Sequence, residues 1–133
     1  MIVIMVNYQI SDFIARINIA RKTRTKTILV TSTKVNLKLL EIFEELGIIT
    51  GYHILDDKTE VIMKYYQGRS VIINLTVLSK PSRRIYVSLL GLHKFKEKYS
   101  SDIMILSTSK GIMLDIECIK KKRSGLLLLR ISL

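Results

Sequence analysis

The 133-residue chain has no tryptophan, one proline, Pro81, and one cysteine, Cys118. A lone cysteine makes no internal disulfide, so packing must hold the fold, which suits a reducing compartment. With only two distant histidines beside it, His53 and His93, a ligand cluster at zinc-like spacing is excluded. His53 lies in an apolar segment, where a hydrogen-bonded structural role is expected. Glycine is scarce, six residues in all, and neither a phosphate-cradling Gly-rich loop nor a nucleophile elbow occurs. The longest charge-free run, Met1 to Ser11, falls far short of the ~20 residues that cross a bilayer. That run also has neither the positive start of a secretory signal nor the Arg/Ser-rich make-up of an import peptide. No membrane insertion, cofactor, small-molecule substrate or enzymatic activity is expected.

Acidic residues are the other shortage. Against 22 Lys and Arg stand 11 Asp and Glu, a formal net charge of +11, and the charges are segregated. Phe13 to Leu40 holds seven basic residues (Arg16, Arg21, Lys22, Arg24, Lys26, Lys34, Lys38) and no acid; Val61 to Lys96 and Cys118 to the end are also acid-free, while six of the eleven acids crowd between Glu41 and Glu60. Lysines and arginines beyond what solubility needs repel one another, which points to a polyanion that neutralises them. A polyphosphate gains counterion-release free energy on such a surface. A membrane surface is the weaker alternative, because the chain has neither a basic amphipathic helix nor a lipidation signal.

Apolar residues make up 48% of the chain, enough for a packed core. Ser11 is a plausible cap for a helix from Asp12 to Arg21, with Phe13, Ile14, Ile17 and Ala20 on one face. Thr25 to Thr31 reads as a strand. Ser32 or Thr33 then caps a helix carrying Val35, Leu39, Ile42, Phe43 and Leu46, ended by Gly47. Ile48 to Leu55 and Glu60 to Tyr66 form a hairpin about the turn Asp56-Asp57-Lys58-Thr59, and Gln67-Gly68 breaks the pattern. Strands follow over Ser70 to Leu78, Ile85 to Leu90, Ile103 to Thr108, Ile112 to Leu114 and Leu126 to Ile131, with a helical turn at Asp115 to Lys122. The expected class is α+β: an α-β-α-β-β domain over residues 1–68 and a mainly β domain over residues 69–133, the two packed directly together.

Ser107-Thr108-Ser109-Lys110-Gly111 is the segment with the most chemistry. Its first four residues match the S-x-x-K signature of penicillin-recognising enzymes, but they follow a β-run rather than opening a helix, and no S-D-N or K-T-G companion exists. Three hydroxyls, a lysine and a glycine that admits close backbone approach suit the sugar edges and phosphates of a distorted RNA helix. A plain turn between strands is the simpler alternative.

Ile105-Leu106-Ser107-Thr108-Ser109-Lys110-Gly111-Ile112-Met113-Leu114-Asp115 resembles the signature of the eighth family of small-subunit ribosomal proteins, of bacterial type. Ser79-Lys80-Pro81-Ser82-Arg83-Arg84-Ile85-Tyr86 is similar to that family's S-K-P-G-R-R-I-Y, and Lys64-Tyr65-Tyr66-Gln67-Gly68 to its K-Y-x-x-G. Asp12, Arg16-Ile17, Ser32-Thr33-Lys34 and Gly47-Ile48-Ile49 follow in the family's order. The resemblance implies two small α/β domains and binding to the central domain of small-subunit rRNA early in assembly, with neighbouring small-subunit ribosomal proteins as further partners. It implies RNA contact by Ser107, Thr108 and Ser109, supported by Lys110 and Gly111, with Lys80, Arg83, Arg84 and Tyr86 nearby and Ser32 and Lys34 from the first domain. Tyr86 could equally be a half-buried strand residue. A general basic RNA-binding module without rRNA specificity is the alternative function. Ser124-Gly125-Leu126 stands where the family commonly has G-G-E, Ser82 replaces a glycine, and Ser100-Ser101-Asp102 replaces a G-L-G turn. Plentiful Ile, Lys and Tyr suggest an AT-rich, organelle-encoded gene and a mitochondrial ribosome, ahead of a plastid or bacterial one.

Overall fold

The computed structural model describes residues 2–70, 74–79, 83–98 and 101–132, with side chains from residue 10 onward. It has two compact units, one of Tyr8–Ile73 and one of Asn74–Leu133 with Met1–Asn7. The class is α+β, as expected.

The first helix, α1 (Ile2–Thr23), begins well before Ser11, which is an interior residue and not a cap. Ile10, Ile14 and Ile17 are all buried at i, i+4 and i+7, so the apolar stripe starts one turn earlier than read from sequence. Packing along that stripe outweighs the cap preference of serine. After β1 (Thr27–Thr31), helix α2 (Lys34–Glu45) is capped by Thr33, whose hydroxyl accepts from the Asn36 N–H. The helix stops at Gly47, whose φ of +75° favours glycine. Phe13 and Phe43 meet with ring centroids 5.9 Å apart, joining the two helices in the core. Each fully buried side chain of this size contributes about 1.5–3 kcal/mol.

Strands β2 (Ile49–Leu55) and β3 (Lys58–Met63) form the expected hairpin. Its turn is shorter than expected, only Asp56-Asp57 between the paired Leu55 and Lys58, and Thr59 is a fully buried strand residue. β3 is central in the antiparallel order β1-β3-β2. His53, on β2, is exposed, which corrects the structural role expected for it: the register pairs it with Glu60, on the face opposite the buried Thr59 and Val61. A second hairpin follows, β4 (Tyr65–Tyr66) and β5 (Arg69–Ser70), turning at Gln67-Gly68.

In the C-terminal unit β6 (Asn74–Val77) and β7 (Tyr86–Val87) precede α3 (Leu89–Lys98). This helix corrects the expected strand over Ile85 to Leu90, which survives as β7 alone. Ser88 caps it, its hydroxyl accepting from the Gly91 N–H at 3.1 Å, and Leu92 faces the core. β8 (Ile103–Thr108), β9 (Gly111–Leu114), the short α4 (Asp115–Lys120) and β10 (Gly125–Ser132) complete the unit. The order is β6-β10-β8-β9, with β7 also paired to β10. β10 is central, and Leu126 to Leu129 are all buried, the continuous apolar run of a strand covered on both faces. Leu92, Met104, Leu106, Met113, Cys118 and Leu127 form one core cluster.

Candidate RNA interface

Ser107 and Thr108 end β8, Ser109 and Lys110 make the turn, and Gly111 opens β9. Thr108 pairs with Gly111 and Ser107 with Ile112. The chain leaves this tight turn through Gly111 at φ +110°, a conformation that side chains resist. The Thr108 hydroxyl donates to the Gly111 carbonyl at 2.8 Å and accepts from the Lys110 N–H at 3.2 Å. It therefore shapes the turn, and the three hydroxyls are not equivalent. Ser109, Lys110 and Gly111 are exposed, Ser107 and Thr108 half-buried.

The sheet brings a second sequence segment to this turn. On β10, Leu126 pairs with Ser107 on one side and Tyr86 on the other, so Tyr86 and Ser107 share a row two strand spacings, or about 10 Å, apart. Tyr86 is 66% exposed, and exposed Arg83 and Arg84 immediately precede its strand. Lys80 lies outside the described residues. Gly125 makes the approach of β10 possible: a Cβ there would collide with the Ser107 carbonyl and come within 3.2 Å of Thr108 Cγ2. Leu126, next to it, is buried, so at this departure from the family pattern a core leucine supports the row and no carboxylate is presented.

Ser32 and Lys34 belong to the N-terminal unit. The Ser32 hydroxyl is 2.6 Å from that of the buried Thr59 and its N–H donates to the Asp57 carbonyl, whereas Lys34, the first residue of α2, is exposed. The sequence thus placed a structural serine among the candidate contacts.

Two basic residues counted from sequence as available to a polyanion are engaged internally. Lys96 Nζ lies 3.0 Å from the carboxylate of fully buried Asp115 and donates to the Asp102 carbonyl. Arg130 Nε lies 2.6 Å from the Asp102 carboxylate. Asp115 also accepts the Met104 N–H at 3.2 Å, extending the β8–β9 ladder by one bond at the end away from the turn. Its position directly after an apolar run was the signal available in the sequence; its partners were invisible there.

No group of three or more His, Cys, Asp or Glu among the described residues could hold a metal ion, and no described helix is long and apolar enough to cross a membrane. Burial pushes the Cys118 thiol above its ordinary value, helped by the negative charges of Asp115 and Glu117. It stays a protonated core residue.

A family model described as Ribosomal protein S8 matches residues 8–131. The small ribosomal subunit protein uS8m of Acanthamoeba castellanii is 34% identical over 124 residues, covering 92% of this chain and 98% of that protein. The small ribosomal subunit protein uS8 of Campylobacter hominis is 36% identical over 126 residues, covering 91% and 95%. That of Thermodesulfovibrio yellowstonii is 35% identical over 126 residues with the same coverage.

Proposed function

The chain belongs to the ribosomal protein S8 family, and we propose that it binds the central domain of small-subunit rRNA through the β8–β9 turn and supports the assembly of that domain. As a member of that family it is a structural component of the small ribosomal subunit and not an enzyme. The observation that carries the finer reading is the convergence at one end of the C-terminal sheet of the exposed Ser109-Lys110-Gly111 turn with exposed Arg83, Arg84 and Tyr86. A hydroxyl-rich turn beside cations and an aromatic ring suits an irregular minor groove, where 2′-hydroxyls and splayed bases offer both hydrogen bonds and a stacking face. Ser107 completes the row. Thr108 holds the turn in shape, Lys80 adds charge from the same sequence segment as Arg83, and Lys34 supplies a contact from the N-terminal unit beside Ser32, whose hydroxyl is held by Thr59. Neighbouring small-subunit ribosomal proteins are the other partners.

We place the protein in a mitochondrial ribosome, supported by its likeness to the Acanthamoeba castellanii protein and by its AT-rich residue usage. Locating the gene tests its expected organellar origin: a nuclear gene encoding a longer precursor refutes that origin.

The function is tested by titrating the chain, at fixed salt, against the central-domain rRNA fragment and a scrambled duplex. A preference of order 10³ or more is expected. Equal affinities reject the reading in favour of a general basic module. Ser109→Ala should lose about 1 kcal/mol of binding to the fragment alone, whereas Lys120→Ala should weaken every RNA alike.

A further inference from the structure

The β4–β5 hairpin of the N-terminal unit carries two adjacent tyrosines with opposite fates. Tyr65 turns inward, its hydroxyl within 2.9 Å of the Ala20 carbonyl and 2.6 Å of the Thr25 carbonyl, and burial raises its pKa above the ordinary phenol value. It pins the hairpin to the end of α1. Strand alternation then sends Tyr66 the other way, and it is 70% exposed. An aromatic ring left in water forgoes the burial that normally justifies it. Arg69 pairs directly with Tyr66 across the ladder, so their side chains share a face. Gln67 and Gly68, at φ +53° and +76°, form the tight two-residue turn with both φ positive that fixes this pairing.

Beside the ring lies a groove of about 770 Å³ lined by Gly47, Lys64, Tyr66, Gln67, Arg69 and Ser70. Its volume is within the ~300–1,000 Å³ of small-ligand clefts. No acid lines it, and neither Lys64 nor Arg69 forms an ion pair with any described acid. The Lys64 ammonium lies over Gly47, 3.9 Å from where a Cβ on that residue would sit, and both line the groove. An aromatic face, two cations and a side-chain amide around one groove are the components with which proteins hold a nucleotide of single-stranded RNA. The base stacks, the phosphates meet the cations, and the amide offers both a donor and an acceptor to the base edge.

We infer that this groove binds one unstacked nucleotide of single-stranded RNA, its base on Tyr66 and its flanking phosphates on Lys64 and Arg69. The inference rests on the RNA-binding function proposed above and adds to it a second site of different specificity, one that takes unpaired RNA where the β8–β9 turn takes an irregular helix.

The full chain is titrated at fixed salt with two probes of equal phosphate number, a short oligouridine and a perfect RNA duplex, and also with the central-domain fragment and its scrambled duplex. Tyr66→Ala is expected to weaken oligouridine binding roughly tenfold to hundredfold and to leave duplex binding and central-domain selectivity unchanged. Tyr66→Phe keeps the stacking face and should bind as the native chain does. Arg69→Ala should lower the salt dependence by about one counterion. Photocrosslinking of 5-iodouridine RNA to the native chain should map to Tyr66, a readout that needs no variant to fold. Oligouridine affinity independent of Tyr66, equal losses on both probes, or crosslinks that avoid the hairpin would overturn the inference. So would Tyr66-dependent capture of an oligoglutamate peptide without capture of oligouridine, which would assign the groove to an acidic protein. Failure of central-domain selectivity in the native chain would instead strike the proposed function and leave the Tyr66 result to be read separately.

Discussion

The two units hold their internal polar groups in different ways. In the N-terminal unit the buried polar contacts are neutral: Thr59 with Ser32, and Asn36 donating to the Thr31 carbonyl at 2.9 Å. In the C-terminal unit, beside the neutral bond from the Ile85 N–H to the buried Ser79 hydroxyl, two are charged, with Asp115 against Lys96 and Asp102 against Arg130. A neutral hydrogen bond contributes about 0.5–1.5 kcal/mol net, and removing one partner so that the other stays buried and unpaired costs about 1–3 kcal/mol. A buried ion pair contributes little net stability when intact, but removing one partner strands a charge and costs about 3–5 kcal/mol. The unit that carries the candidate turn is therefore the one whose geometry is enforced by a penalty for error. Asp115 bonds the first part of β8, and β8 delivers Ser107 and Thr108.

The largest expected effect tests that difference directly. Lys96→Ala leaves the fully buried Asp115 without its cation and should destabilise the C-terminal unit by about 3–5 kcal/mol, read as loss of amide-exchange protection in β8 and β9 with protection in α2 and β3 retained. Equal loss in both units would erase the contrast. Next in size, Gly125→Ala forces β10 away from the Ser107 backbone; it should cost about 1–3 kcal/mol by denaturant melting and reduce selective RNA binding with it. A variant that melts earlier yet keeps full selectivity would separate the turn from the strand beside it. The smallest effect belongs to the neutral anchor. Ser32→Ala should lower the stability of the N-terminal unit by about 1 kcal/mol, and a change in RNA affinity larger than in stability would return this hydroxyl to the RNA interface.

Much of the fold was legible where local chemistry and tertiary packing agree. Helix α2 has a threonine cap, an uninterrupted apolar stripe and a glycine stop, and the structure matches each. The ladder of β8 with β9 follows from alternation and a Ser/Gly turn. The sequence conceals helix α3 because its ten residues include Gly91 and only Leu92 and Phe95 pack on the core, so the β-branched run before it dominates the pattern. α1 was read short because a serine with helical neighbours looks like a cap until Ile10 is seen to be buried. In the candidate interface, Ser109, Lys110, Arg83 and Arg84 are exposed as their types suggest, while Ser32 is turned inward by a partner 27 positions away.

The sequence alone determined that this is a basic, disulfide-free α+β chain without catalytic or metal-binding constellations, and which short segments carry hydroxyls, cations and glycine. These depend on composition and on spacing along the chain, which need no folded partner to be read. Only the tertiary structure decided which cations are engaged and which hydroxyls are available. Lys96 and Arg130 find their acids, Thr108 closes its own turn, and Tyr86 is brought beside Ser107 by a strand that comes 40 residues later. The reason is physical: a side chain's free valences depend on what packs within hydrogen-bond reach, and in an antiparallel sheet those neighbours are set by register between distant segments rather than by adjacency in sequence.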